Sequence, residues 1–316
     1  MGRFVGRQMM QTVPVLFIVT VVAFAVTMLL PGDPALAILG VERARDAEAY
    51  QSLRRELGLD QPLPLQYVSW LGRLAHGDFG ESVINNQPVI DGLRQRLPIT
   101  IELGVLSMLF SVVVAVPFGI YAALRRDTIA DLIASIVALA GVAMPSFWLG
   151  ILLIYLFTLD WGLFQASGYV SFRDDPVDHL KHLVMPVFVL SVDSIGGLQR
   201  QVRSALLEVI GQDYIRTARA KGLAPNAVVW THALRNALIP VATIIGLRVA
   251  RLLGGAAVVE TVFAIPGVGR LAVESIFNRD FPVIQAIVLV MALAVLLSNL
   301  LTDLAYGLLD PRIRCG

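Results

Sequence analysis

Charged residues are scarce in this chain: they fill 16% of its 316 positions, while 56% are apolar. Soluble domains carry about 25% charged residues, so the polar surface here is too small to cover a globule in water. A mean hydropathy of +0.72 agrees, and the chain reads as a membrane protein. The net charge of +1 excludes a strongly basic nucleic-acid binder and an acidic disordered chain. A single cysteine, Cys315, excludes an internal disulfide and a thiolate metal site. Also missing are the Gly-rich phosphate loop G-x-x-x-x-G-K-[ST], the zinc signature H-E-x-x-H and the G-x-S-x-G elbow. The four histidines, His76, His179, His182 and His232, are scattered. His179 and His182 stand three apart but lack further ligands nearby, which favours a structural or solvated role over a metal site. Gly77-Asp78-Phe79-Gly80 carries the letters of a kinase metal motif without its companions and is a chance match. No catalytic residue, metal ligand or cofactor site is expected in the chain.

What is present is a series of long apolar runs. A helix needs roughly 20 apolar residues to cross about 30 Å of hydrocarbon. Six runs qualify, near Val13–Leu30, Ile101–Leu124, Leu132–Leu159, Leu183–Leu198, Ala237–Val259 and Ile284–Leu309. The fourth is the weakest, because Asp193 and the Gly196-Gly197 pair interrupt it. Arg3 and Arg7 ahead of the first run, and Ala35-Leu36-Ala37 after it, resemble a cleavable signal. Signal cores span only about 7–15 residues, and the longer run here favours a retained span. With the N-terminus inside, Arg3, Arg7, Arg125, Arg126, the stretch Arg200–Arg235, Arg312 and Arg314 all fall in the cytoplasm. The short outer loops then hold only Arg173, Lys181, Arg270 and Arg279, beside acids such as Asp174, Asp175 and Asp178. The positive-inside rule therefore places both termini in the cytoplasm.

Two loops carry further information. In the outer segment 31–97, residues Ala47–Leu57 and Leu65–Ala75 show helical spacing of apolar side chains, and Pro62 and Pro64 suit a helix start. A small helical subdomain is expected there, either a lid over the bundle or a docking surface for a soluble partner. The cytoplasmic loop 200–236 alternates small alanines with long cations up to Gly222, where the chain can leave the helical region, and Pro225 then suits a new helix. This predicts two short helices at an angle. Their basic surface suits anionic lipid or a protein groove. The small apolar depth of Ala218 and Ala220 favours the groove. In the spans, Pro145 is expected to kink the third helix. Asp193 in the fourth span, with Arg248 and Arg251 on one face of the fifth, forms a candidate pathway set. Such charges either pair as bundle glue or face a cavity.

The segment Tyr214–Leu223 followed by His232-Ala233-Leu234-Arg235-Asn236-Ala237-Leu238-Ile239-Pro240 resembles the EAA loop of ATP-binding-cassette importer permeases. It is most similar to the dipeptide, oligopeptide, glutathione and nickel family. Arg216 replaces the acidic first position of the general motif, and Pro240 lies further from Gly222 than in sugar or amino-acid permeases. Both departures are similar to those of the peptide subfamily. The resemblance continues through Leu30-Pro31-Gly32-Asp33-Pro34, Leu57-Gly58-Leu59-Asp60-Gln61-Pro62, Gly77–Gly80, Pro145-Ser146-Phe147-Trp148-Leu149-Gly150, Phe263-Ala264-Ile265-Pro266-Gly267-Val268-Gly269 and Leu309-Asp310-Pro311-Arg312-Ile313-Arg314. These blocks look like the first of the two permease subunits.

The resemblance implies an all-α integral membrane protein with the type I importer (MetI-like) permease fold. It has six transmembrane helices, a helical loop outside after the first, and a cytoplasmic coupling helix. It divides the chain into 1–30 (N-terminus and first span), 31–97 (outer loop), 98–309 (a five-helix core with coupling loop 200–236) and the tail 310–316. It implies that Tyr214, Arg216, Thr217, Ala218, Arg219, Ala220, Lys221, Gly222 and Leu223 contact an ATPase. There the cations would meet acids, and Ala218 and Gly222 would permit close approach. The implied partners are a second, homologous permease, two ATPase subunits that bind ATP and magnesium, an extracytoplasmic solute-binding protein and the lipid of a bacterial inner membrane, with no nucleic acid. The subfamily more often has uncharged residues at the positions of Arg248 and Arg251, so these are departures that would tune the substrate. A stand-alone secondary transporter or channel fits the composition, but no inverted repeat with paired broken helices is detectable. An intramembrane enzyme lacks a catalytic constellation, and a scaffold subunit is the remaining alternative.

Overall fold

The apolar runs become helices that extend well past the hydrocarbon-length minimum. The computed structural model describes residues 2–29, 35–36, 39, 46–56 and 58–309. Among these residues, the only β-type pairing is an isolated antiparallel bridge between Glu81 and Pro88. The helices are α1 (Gly2–Leu29), α2 (Ala47–Glu56), α3 (Leu63–Ala75), α4 (Val89–Leu124), α5 (Ile129–Ala143), α6 (Ser146–Leu153, continued by a π-helical stretch to Asp160), α7 (Pro176–Ile210), α8 (Asp213–Ala220), α9 (Leu234–Val262, entered through Pro225–Ala227 and a π-helical turn Val228–Ala233), α10 (Val268–Asn278) and α11 (Phe281–Leu309).

Three stretches, Val89–Leu124, Pro176–Ile210 and Phe281–Leu300, are long and apolar enough to cross a bilayer unbroken. Two more pairs, Ile129–Ala143 with Ser146–Asp160 and Pro225–Leu238 with Pro240–Gly246, meet the same test but bend by 100° and 41°, and Thr12–Val26 is a shorter apolar helix. This set is compatible with six spans. It corrects three details of the sequence reading. The helix that carries the second span begins ahead of the apolar run, at Val89, where Val89, Leu93 and Leu97 pack with Val268, Val283, Ala286 and Ile287. The third does not merely kink. Pro145 forces Met144 into extended backbone (φ −82°, ψ 122°), as proline does to the residue before it, and a new helix starts at Ser146. The fourth is not interrupted, since α7 runs unbroken through Gly196 and Gly197 for 35 residues.

The chain divides into two compact units, one made of Ile101–Ile265 with the stretch from Leu297, the other of Gly2–Thr100 with Pro266–Leu296. In the second unit, Trp70 and Tyr67 of α3 pack with Phe24 of α1, and the Tyr67 and Thr20 hydroxyls lie 2.7 Å apart. The buried Asp280 carboxylate accepts from the Ser82 hydroxyl and from the Val83 amide, fixing the stretch before α4 to the start of α11. The Val268 amide donates to Thr100 Oγ1 at 2.8 Å, which holds the start of α10.

In the first unit, α7 is the central element, and glycines set how closely its neighbours approach. Lipid tails are as apolar as helix surfaces, so membrane helices associate mainly by close packing at small residues. A Cβ on Gly196 would strike the Ala138 carbonyl of α5, and one on Gly119 of α4 would strike Val202 and the Gln199 carbonyl of α7. The Ser111 and Ser191 hydroxyls both donate to the Ser107 carbonyl, joining α4 to α7. On the opposite face of α4, Val105, Leu109 and Val113 are exposed, as a lipid-facing stripe requires. Gly196→Ala is expected to cost about 1–3 kcal/mol by overpacking. Gly104→Ala, with open space at its Cβ, should be neutral or stabilise by up to about 1 kcal/mol. Unfolding of the detergent-solubilised variants compares the two, and equal effects would refute the close-approach account.

Candidate functional site

The chain leaves α7 at Ile210 and forms α8, whose eight residues are Asp213–Ala220. Gly222 then adopts φ +80°, a left-handed conformation open to glycine without a Cβ penalty, and Pro225 opens the next helix as its first residue. The sequence expectation of a helix ended by Gly222 and a restart at Pro225 matches this path. The second element is not a separate short helix. It is the leading end of α9, bent by 41° near Pro240.

Burial divides α8 into two faces. Ile215 is fully buried and Ala218 is 8% exposed, and both belong to one apolar cluster with Ala115, Ile120 and Ala123 of α4, Leu198, Val202, Ala205 and Leu206 of α7, and Val228, Ala233, Leu234, Ala237 and Val241 on the path into α9. Tyr214, Arg216, Thr217, Arg219, Ala220, Lys221, Gly222 and Leu223 are exposed. Ala218 faces this chain's own bundle, because it follows Ile215 by three positions and shares its stripe. Ile215, which sequence reasoning passed over, is the anchor. Its signal was an apolar side chain amid cations, one turn ahead of Ala218. On the exposed face, the Asn236 amide donates to the Tyr214 hydroxyl at 2.9 Å, which joins α8 to α9, and Arg216 lies 3.3 Å from Asp213 of the same helix. α8 is thus seated against the ends of α7 and α9.

A second feature lies where α5 begins. Arg203 of α7 grips Asp131 through two parallel bonds, Nε to Oδ1 and Nη2 to Oδ2, both 2.6 Å. Asp131 is 5% exposed and also accepts from the Asp127 amide, while Thr128 caps α5 by accepting from the Asp131 amide. Thr128-x-x-Asp131 resembles a capping box and marks the helix start, but nothing in the sequence pairs Asp131 with Arg203, 72 positions on.

Of the candidate pathway residues, Asp193 and Arg248 are brought together, with Arg248 Nη1 3.9 Å from Asp193 Oδ2. The Arg248 guanidinium lies against Gly197, in the space a side chain there would fill. The Arg251 side chain falls outside the described residues.

The loop before α7 has its own tether. Tyr169 donates to Glu102 Oε2 at 2.7 Å, while His179 places Nε2 3.2 Å from Glu102 Oε1 and Nδ1 2.7 Å from the Val170 carbonyl, between the rings of Tyr169 and Phe172. His179 thus has a structural role here. Burial and the adjacent Glu102 carboxylate push the Tyr169 phenol up to about 12. A raised value means that the neutral, donating phenol is present below about pH 10 and lost only as pH climbs through about 12. Tyr169→Phe should therefore cost about 1 kcal/mol, equally at pH 6 and pH 9, in unfolding of the solubilised protein. A loss confined to one end of that range would contradict the assignment.

The chain matches two family models, "Binding-protein-dependent transport system inner membrane component" over residues 115–314 and the corresponding N-terminal component over residues 1–104. It is 40% identical over 337 aligned residues to the dipeptide transport system permease protein DppB of Escherichia coli (strain K12), with 99% of each chain covered. A protein of Brucella abortus (strain 2308) named for a peptide transport system permease is 42% identical over 314 residues, again with 99% of each chain covered. Among solved structures, an inward-facing chain of the MetNI methionine ABC transporter superposes with a TM-score of 0.57 at 20% identity, covering 69% of this chain and 96% of that one. At that identity the likeness speaks for the fold alone.

Proposed function

The chain belongs to the inner-membrane component family of binding-protein-dependent transport systems, and from that premise we propose that it is one permease subunit of an importer for peptides. ATP hydrolysed on separate subunits drives the importer. Family membership favours this reading over a stand-alone secondary transporter. The peptide substrate, whether a di- or oligopeptide or a glutathione-like molecule, rests on the full-length similarity to proteins named for peptide and dipeptide transport. The complex contains one similar permease, two ATPase subunits that carry the nucleotide and magnesium, and an extracytoplasmic binding protein that selects the solute. Both termini face the cytoplasm, and the helical loop after α1 faces outside.

The observation that carries the mechanism is the two-faced helix α8. Its inner face is locked into the bundle by Ile215 and Ala218. Its outer face presents Arg216, Arg219 and Lys221, which pair with acids in a cleft of the ATPase. When the ATPase subunits close, a helix held at both ends passes the motion into α7 and α9 as a rigid body. Because α7 is packed against α4, α5 and α9 through glycines, the displacement reaches Asp193 of α7 and Arg248 of α9, and these two with Arg251 are our candidate pathway residues.

Purification of the solubilised protein from its native membrane tests this. A second permease and ATPase subunits should co-purify with ATPase activity. Gly222→Arg, which places a side chain at φ +80° and a bulky cation on the exposed face, should abolish ATP-driven uptake. A lone chain that transports solute without ATPase partners would overturn the reading.

A further inference from the structure

The contact between α4 and α7 is built on a track of small residues. Ser107, Ser111, Ala115, Gly119 and Ala123 recur at every fourth position of α4, and all are buried. The Ser111 and Ser191 hydroxyls donate to the Ser107 carbonyl, and a Cβ on Gly119 would lie 2.7 Å from Val202. Bonded partners stand 80–84 positions apart, and Gly119 with Val202 keeps that spacing, so the helices run parallel in one register. Two polar side chains of this contact are idle. Ser107 Oγ is fully buried, and Gln199 is 3% exposed with both amide atoms buried. None of these three atoms has a hydrogen-bond partner among the described residues. The Gln199 carbonyl lies against Gly119, which places the residue on the same contact. A buried amide without partners is costly, and packing alone would be served better by alanine or leucine. The neighbouring joint with α5 has no such slack, because two bonds of 2.6 Å lock Arg203 to Asp131. A regular track of small residues with hydroxyl-to-carbonyl bonds, by contrast, offers nearly the same surface one turn further on, since each carbonyl keeps a second lone pair.

Resting on the importer reading above, we propose that the α4–α7 contact is a sliding joint with two registers, and that Ser107 and Gln199 supply the hydrogen bonds of the second. A shift of α7 by three to four residues toward its outer end, about 4.5–6 Å, brings Ser194 beside Ser107 in place of Ser191. It also brings Ala205 beside Gly119 in place of Val202. Both incoming residues are small and buried here. The same shift carries Gln199 to the level of Ser111, the direction in which its side chain leans, because helical side chains tilt toward the N-terminus. The idle amide and hydroxyl gain partners while the Ser191 bond to α4 is given up, so the two registers lie close in energy. α5 travels with α7 through the Asp131–Arg203 clamp. The exposed connection Arg125–Thr128, where Asp127 holds φ +61°, takes up the difference between α4 and α5. α8, at the end of α7, drives the shift.

The test uses the complete transporter with its binding protein in proteoliposomes, with Cys315→Ser removing the chain's own thiol. Ser107→Cys is combined with Ser191→Cys to report the present register, or with Ser194→Cys to report the shifted one. Disulfide yields are compared without nucleotide and with the ATPase subunits trapped by ATP and vanadate. The ratio of the two yields should change about tenfold or more between these conditions. Gln199→Leu removes the amide at similar volume and should hold the first register in both conditions. It should also slow thermal inactivation yet lower the uptake of alanine peptides of two to five residues about three- to tenfold, the shift expected for one lost hydrogen bond. Gln199→Asn should recover part of that uptake. A yield ratio that is the same in both conditions, or full uptake by Gln199→Leu, would overturn the sliding joint and leave the track as packing. A wild type whose ratio changes but which imports none of the peptides would support the joint and overturn the peptide reading instead.

Discussion

Ile215→Asp is expected to uncouple the transporter, reducing ATP-driven uptake by at least about tenfold while the rest of the membrane bundle stays folded. The side chain is fully buried in the cluster that seats α8. Removing it forfeits about 1.5–3 kcal/mol of burial, and a carboxylate in its place adds a desolvation cost of several kcal/mol. A helix of eight residues has no stability of its own to set against that, because isolated helices below about 12–15 residues are marginal in water. The loss is therefore local: α8 leaves its seat, and the cations on its outer face lose their fixed geometry. Ile215→Leu keeps volume and apolarity, costs less than about 1.5 kcal/mol and should retain uptake. The discriminating measurement pairs uptake with co-purification of the ATPase subunits. Undiminished uptake by the aspartate variant would show that coupling does not depend on this seat.

The sequence carries the large features of this molecule and omits the contacts between its distant parts, for physical reasons visible in particular residues. Helix existence follows from local composition. The runs around Val105–Val113 and Phe281–Leu300 can only be apolar helices, and α2 and α3 follow from the spacing of Tyr50 and Leu53 and of Tyr67, Trp70 and Leu74. Gly222 and Pro225 likewise punctuate the chain by local rules. The fourth span shows where local rules fail. Asp193 and the Gly196-Gly197 pair lower its hydropathy, yet α7 runs straight through them. Their purpose lies in other helices, since Gly196 receives the Ala138 carbonyl and Gly197 receives Arg248. The same holds for Ala218, whose small size suits a partner's cleft and the chain's own core equally well. Only the position of Ile215, one turn away, decides between them. The 100° turn at Pro145 exceeds a kink because Met144 takes extended backbone, which ends α5 outright.

Breaking the Asp131–Arg203 pair is the substitution with the largest expected effect on stability. Asp131 is 5% exposed, so Arg203→Met leaves a carboxylate with its main counter-charge removed, and loss of one partner from a buried ion pair costs about 3–5 kcal/mol. Asp131→Asn should cost less, because a neutral amide needs no counter-charge, and the double variant Asp131→Asn with Arg203→Met should recover much of the single loss. That recovery marks a true pairwise interaction, which the cycle of single and double variants measures directly. Membrane proteins often unfold irreversibly, so rates of inactivation at fixed temperature are the suitable readout. The effect should persist at high salt, since screening acts on exposed charges far more than on buried ones. It also has a functional consequence. The pair pins the start of α5 to α7, the same helix whose end leads into α8, and adds to the Gly196 contact that already packs the two helices together. If Arg203→Met were stable and fully active, the clamp would be dispensable, and the glycine contacts alone would have to carry any motion from α7 to α5.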